Sequence, residues 1–103
     1  MTHTININGE SYPVRFGFAA LMTFSKKTGI KLEDLDELSE GIDLYTAVAL
    51  LWAGLKDGAR KEKKQFTLSV EDIADLLDDD VEVLTTALEL FAQSFAQGAE
   101  PGK

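Results

Sequence analysis

Apolar and polar positions along the chain change period several times, and each period predicts an element. Between Thr4 and Phe16, Ile5 and Ile7 alternate with polar residues, and Asn8-Gly9 then supplies the pair that a type I′ turn requires. A two-residue loop sets Ile7 opposite Glu10 and Ile5 opposite Tyr12. Ile5, Ile7, Tyr12, Val14 and Phe16 then share one face, so turn and pattern agree on a β-hairpin. Pro13 donates no ladder bond and is expected at an outward edge. A lone hairpin is marginal in water, so this one is expected to lie on helices or to pair with a second chain.

Gly17 ends the alternation. Phe18 to Thr28 predicts a helix with Phe18, Leu21, Met22 and Phe24 as its apolar residues and Lys26 and Lys27 in its last turn, where they complement the dipole. Gly29 is expected at the C′ position, with Ile30 folding back onto the last turn. Leu32, Leu35 and Leu38 stand among Glu33, Asp34, Asp36 and Glu37, a short amphipathic turn or helix with a solvated acidic face.

From Leu44 to Leu55 only Thr46 is plainly polar, and Ala and Leu, both strong helix formers, dominate. This predicts a helix capped by Asp43 and closing near Gly58. Being apolar all round, it must be buried on most sides. It is shorter than the roughly 20 apolar residues that span a bilayer. The other segments are therefore expected to pack around it. Lys56 to Lys64 turns basic and is expected to be a frayed helix end followed by a mobile loop, with Phe66 and Leu68 holding its far side.

Ser69-Val70-Glu71-Asp72 is a helix start. The Ser69 hydroxyl reaches the Asp72 amide and the Asp72 carboxylate reaches back, a capping box with Asp in place of Glu. Leu68 and Ile73 have the spacing of a hydrophobic staple, and Ile73, Ala74, Leu76 and Leu77 are the expected buried face. Asp78-Asp79-Asp80 separates this helix from the last one, with Asp80 as the expected N-cap. There Val81, Leu84, Leu88, Phe91 and Phe95 form an apolar stripe, widened by Val83, Ala87 and Leu90. The chain thus reads as α+β and mostly helical: an N-terminal hairpin (4–16) followed by about four to five helices (17–97) around a central apolar helix. Residues 1–97 form one domain and 98–103 a disordered tail.

Composition narrows the function. The 103 residues suit one domain, and 45% hydrophobic content suffices for a core. With no Cys there is neither a disulfide nor a thiolate metal site. Met1-Thr2-His3-Thr4-Ile5 does not read as a signal peptide, which fits a cytoplasmic protein. The formal charge of −8 disfavours binding to nucleic acid or to anionic membrane surfaces.

No catalytic constellation is visible. His3, the only His, has no nucleophile beside it in sequence. Asp78-Asp79-Asp80 with Glu82 lacks the glycine and the spaced terminal Glu of an EF-hand, and fits capping and solvation better. No enzyme activity and no cofactor are expected. The residues singled out as a candidate protein interface are Phe91 and Phe95 on the last stripe, and Arg60, Lys61, Lys63 and Lys64 in the basic stretch.

Taken in order, several short stretches carry a resemblance. The strand, Asn-Gly turn and strand lead into Tyr12-Pro13-Val14-Arg15-Phe16-Gly17-Phe18-Ala19-Ala20-Leu21. A helix ending at Thr28-Gly29-Ile30 and the leucine-and-acid segment follow. Then come Leu51-Trp52-Ala53-Gly54-Leu55-Lys56, the basic stretch, and Phe66-Thr67-Leu68-Ser69-Val70-Glu71-Asp72-Ile73. Up to Phe95 the chain resembles the tail assembly chaperones of long-tailed bacteriophages and prophages. That resemblance implies a non-enzymatic protein of the host bacterial cytoplasm. It would coat the tape measure protein, keep it soluble and recruit tail tube subunits. Many copies along one client imply homo-oligomers, expected through the hairpin edge, the last helix or both. The other reading of the acidic runs is a small inhibitor or interaction module that blocks a basic protein surface.

Overall fold

Asn8 and Gly9 both take positive φ, 53° and 88°, the pair that a type I′ turn needs. The computed structural model describes residues 3–31, 34 and 41–99, with side chains described through residue 93. The turn joins β1 (His3–Ile7) to β2 (Glu10–Val14) in the antiparallel register Ile7–Glu10 and Ile5–Tyr12. Ile5, Ile7, Val14 and Phe16 are buried and Tyr12 is half-buried, so the hairpin turns the expected face to the core. Four helices follow: α1 (Phe18–Thr28), α2 (Leu44–Lys61), α3 (Val70–Leu77) and α4 (Glu82–Ala99). The protein is therefore α+β and mostly helical.

α2 is the centre of the fold. It packs against α1, β2, α3 and α4. From Thr46 to Ala59 every residue is buried except Trp52, half-buried, and Lys56, exposed. Leu50, Leu51 and Leu55 are each at most 1% exposed, and burial of a side chain of this size stabilises by about 1.5–3 kcal/mol. The helix does not fray at Lys56. It runs on to Lys61, because Asp57, Gly58 and Ala59 are themselves buried. At its start Asp43 holds the N-cap position with extended backbone, and its carboxylate accepts a hydrogen bond from the Thr46 hydroxyl.

Caps bound the other helices as the local sequence predicts. Gly29 takes φ 82° at the end of α1 and its amide donates to the Ser25 carbonyl at 2.7 Å. Ser69 and Asp72 form the reciprocal capping box of α3, at 3.1 and 2.9 Å. Leu68 packs against the core and Ile73 is fully buried. The α3–α4 connection differs by one residue from expectation: α4 begins at Glu82, and the Asp80 carbonyl accepts from the Val83 amide at 3.2 Å.

Inward faces differ from the sequence reading in three helices. α1 buries Ala20 and Phe24, while Phe18 and Met22 are 69% and 66% exposed. The two pairs lie two residues apart, about 200° around the helix, so burying one exposes the other. α3 turns Val70, Ile73 and Leu77 inward and leaves Ala74 exposed. α4 buries Val83, Ala87 and Phe91; Leu84, Leu88 and Leu90 are half-buried and Val81, ahead of the helix, is 67% exposed. The expected segment Leu32–Leu38 lies outside the described residues apart from residue 34. Of the expected tail, Gly98 and Ala99 belong to α4, and residues 100–103 lie outside the described residues.

Candidate protein-interaction site

The basic stretch begins inside α2. Arg60 is held down by Asp57, whose Oδ1 accepts from Arg60 Nη2 at 2.7 Å and Nε at 3.1 Å. The other Asp57 oxygen accepts from Arg15 Nη1 at 3.0 Å, and the Asp57 side chain is only 2% exposed. The carboxylate thus ties the residue after β2 to the last turns of α2. In the sequence Asp57 stands only as one acid within the basic stretch Lys56 to Lys64. The signal that it is buried was its place beside Gly54 and Gly58, one turn apart on a helix otherwise apolar, which marks a close backbone approach.

Lys61, Lys63 and Lys64 are exposed. The chain leaves α2 through an ordered turn: the Lys63 amide donates to the Arg60 carbonyl at 3.1 Å, the Lys64 amide donates to the Ala59 carbonyl at 2.8 Å, and Lys63 takes φ 60°. Two further lysines join this surface through Trp52. Lys27 Nζ from α1 lies 5.4 Å and Lys56 Nζ 5.1 Å from the indole centroid, cation–π contacts worth about 0.5–1 kcal/mol each at an exposed site. The indole N–H donates to the Leu68 carbonyl at 2.9 Å, which ties residues 64–68 back onto α2. Sequence reading did not join Lys27 to this surface, because only the docking of α1 on α2 brings it there.

Beside these lysines, β2, α2 and residues 64–68 enclose a cleft of about 300 Å³. Pro13, Leu55, Ala59 and Phe66 give it apolar walls, and Ser11, Tyr12, Lys64, Gln65 and Thr67 contribute polar groups. The Tyr12 hydroxyl donates to Glu10 Oε1 at 2.9 Å; partial burial, and then this carboxylate, raise its pKa above the ordinary tyrosine range. The outer edge of β2 is docked rather than open: the Arg15 amide donates to the Gly54 carbonyl at 3.0 Å, and Gly58 lies against the Pro13 backbone.

Phe91 belongs to the core. It is 8% exposed and meets Phe16 edge-on, centroids 5.7 Å apart at 81°. A ring closed in this way offers no face to a partner, because α4 turns its Val83–Ala87–Phe91 line inward. The Phe95 side chain lies outside those described. Among the described residues, the large apolar side chains exposed at the surface are Phe18, Met22, Leu44, Tyr45 and Val81. None had been singled out as an interface, since each falls within a stretch whose pattern is equally that of a buried face.

Among the described residues no group of three or more His, Cys, Asp and Glu side chains is arranged to hold a metal ion. No helix among them is long and apolar enough to cross a membrane. Comparison with protein-family models, with curated proteins and with solved structures gives no match to this chain.

Proposed function

We propose that the chain is a tail assembly chaperone of a long-tailed bacteriophage or prophage, acting in the host cytoplasm by binding rather than catalysis. Its client would be the tape measure protein, a long helical chain with apolar seams, which it would keep in solution while tail tube subunits are recruited. The ordered series of motifs from the hairpin to Ile73 supports this reading. The observation that carries it is the outward pair Phe18 and Met22, one turn apart on α1 and 69% and 66% exposed, with Leu44 and Tyr45 exposed at the start of α2. Ala20 and Phe24 hold the opposite side of α1 in the core, so this apolar surface is presented by a fixed helix. Exposed apolar residues one helical turn apart suit a helical client, which reads as i, i+4 contacts.

The test is co-expression with a tape measure protein from the same tail gene cluster. The client is expected to move to the soluble fraction with the wild-type chain and to remain insoluble with Phe18→Ser combined with Met22→Ser. A client equally soluble with or without the chain overturns the proposal.

A further inference from the structure

The hairpin register leaves one edge of β1 without backbone partners. A two-residue turn makes Ile7–Glu10 a hydrogen-bonded pair, and bonding then alternates along the ladder. Ile5–Tyr12 and His3–Val14 are therefore bonded pairs, and Asn6–Ser11 and Thr4–Pro13 are not. Pro13, which has no N–H, stands where none is needed. It follows that the backbone N–H and C=O of Thr4 and Asn6 point away from β2. Both residues are exposed, and among the described residues no other backbone group bonds to them. The other edge of the hairpin is docked on α2, through the Arg15 amide on the Gly54 carbonyl and Pro13 against Gly58. The surroundings of the β1 edge are acidic. α4 packs on β1, and from Gln65 to Ala99 the chain has no Lys or Arg. Asn8 Nδ2 and the Asp79 amide both donate to the Leu76 carbonyl, at 3.3 and 3.4 Å, which sets the exposed Asp78 and Asp79 beside the turn end of β1. Glu10, also exposed, pairs with Ile7 at that same end.

We propose that β1 receives an extended basic segment of a partner protein as a third strand, antiparallel to it. The outward donors and acceptors of Thr4 and Asn6 repeat every ~7 Å along the edge, a spacing that an extended backbone matches and a helix, with its backbone bonds turned inward, does not. Partner residues opposite Thr4 and Asn6 exchange backbone bonds with them and stand on the exposed face of the sheet. The partner residue between them, opposite Ile5, points to the face that Ile5 and Ile7 share with α4, where a β-branched apolar side chain fits. An antiparallel strand enters at the Ile7 end, so basic residues just ahead of it meet Asp78 and Asp79. Charge favours such a partner over a second copy: two chains of −8 repel each other, whereas a basic segment is attracted. Main-chain bonds supply the affinity of strand addition, and alternate side chains its specificity. The contact uses neither Phe18 nor Met22 and stands or falls apart from client binding.

The test is amide hydrogen exchange of the full chain, read by nuclear magnetic resonance. The probe is an end-blocked synthetic peptide in which a pair of lysines precedes a short alternation of Val and Thr. In the free protein the Thr4 and Asn6 amides are expected to exchange fast and those of Ile5 and Ile7 slowly. The peptide should slow Thr4 and Asn6. Methylating the peptide nitrogens of its threonines, which face β1, should abolish binding, and methylating that of the valine between them, which faces away, should not. Thr4→Pro removes an outward donor and should weaken binding at least about fivefold, while Thr4→Ala should leave it unchanged. Near-ultraviolet circular dichroism of Trp52 checks that each variant folds. Asp78→Asn with Asp79→Asn should weaken binding at low salt, and should have no effect on a peptide with serines in place of the lysines. No binding up to about 1 mM peptide would overturn the proposal. So would binding that leaves the Thr4 and Asn6 amides unchanged, equal binding of the threonine-methylated peptide, or indifference to the acidic replacements. Thr4 and Asn6 amides already protected in the free chain, or protected by raising protein concentration alone, would give the edge to the chain itself or to a second copy and overturn it too.

Discussion

Gly58 of α2 lies directly against the backbone of Pro13, and a Cβ at Gly58 would overlap the Pro13 carbonyl and the Val14 amide. One turn earlier, a Cβ at Gly54 would meet the Phe16 ring and the Val14 side chain. The two glycines are the floor on which the end of β2 rests. Gly→Ala inside a helix ordinarily stabilises by about 0.8–1 kcal/mol. Here the sign should reverse: Gly58→Ala is expected to destabilise by about 1–3 kcal/mol, because backbone atoms must move aside. Urea unfolding measures it, and a stabilised Gly58→Ala would show that β2 does not sit where described.

Asp57 should be worth far more than either arginine it binds. Its side chain is 2% exposed, against 24% for Arg15 and 59% for Arg60. Asp57→Ala removes the one acceptor that both arginines share, at a buried position, and should cost about 1.5–3 kcal/mol. Arg60→Ala should cost less than about 1 kcal/mol, since that side chain is mostly solvated. Arg15→Ala should fall between. Equal losses for Asp57→Ala and Arg60→Ala in chemical denaturation would contradict this order.

The Thr46 hydroxyl donates to the Asp43 carboxylate and holds its pKa below the ordinary carboxylate value; first-turn amides act more weakly in the same direction. A carboxyl depressed by folding adds stability above its unfolded pKa, and that contribution is lost as pH falls through the lower folded value. Thr46→Val keeps the shape of a buried side chain but removes the donor. Nuclear magnetic resonance titration should show the Asp43 pKa moving up in this variant. The stability difference from wild type should be present at neutral pH and fade in acid. An unmoved Asp43 titration would remove the hydrogen bond from the account.

Ser69 closes both bonds of its capping box. Ser69→Ala should lower stability by about 1 kcal/mol and Ser69→Gly by only a few tenths. Thermal unfolding of the pair is the measurement, and equal losses would mean that the hydroxyl is idle.

Features set by near neighbours were legible before any fold was known. Asn8-Gly9 dictates the turn, and a two-residue turn dictates that Ile5 faces Tyr12. Gly29 ends α1 because an αL residue is needed there, and Ser69 with Asp72 starts α3. The stretch from Leu44 to Leu55 announced the buried centre, since a helix apolar on every side must be hidden, although burial begins only at Thr46 and leaves Leu44 and Tyr45 exposed. In each case the interacting groups lie within a few residues, so local sterics and hydrogen bonding leave one solution.

What the tertiary structure alone decided is which of several adequate surfaces faces inward. α1 has two apolar pairs on opposite sides, Phe18 with Met22 and Ala20 with Phe24. The choice fell to the pair containing a small Ala, which lets α1 come close to α2. Phe91 is spent on Phe16, 75 positions earlier, so no pattern within α4 could tell it from an exposed contact. Asp57 looked like one charge in a basic run until β2 delivered Arg15 to it. Lys27 and Lys56 meet over one indole only because two helices dock. Burial and charge pairing depend on distances between segments remote in sequence, and those distances exist only once the whole chain has packed.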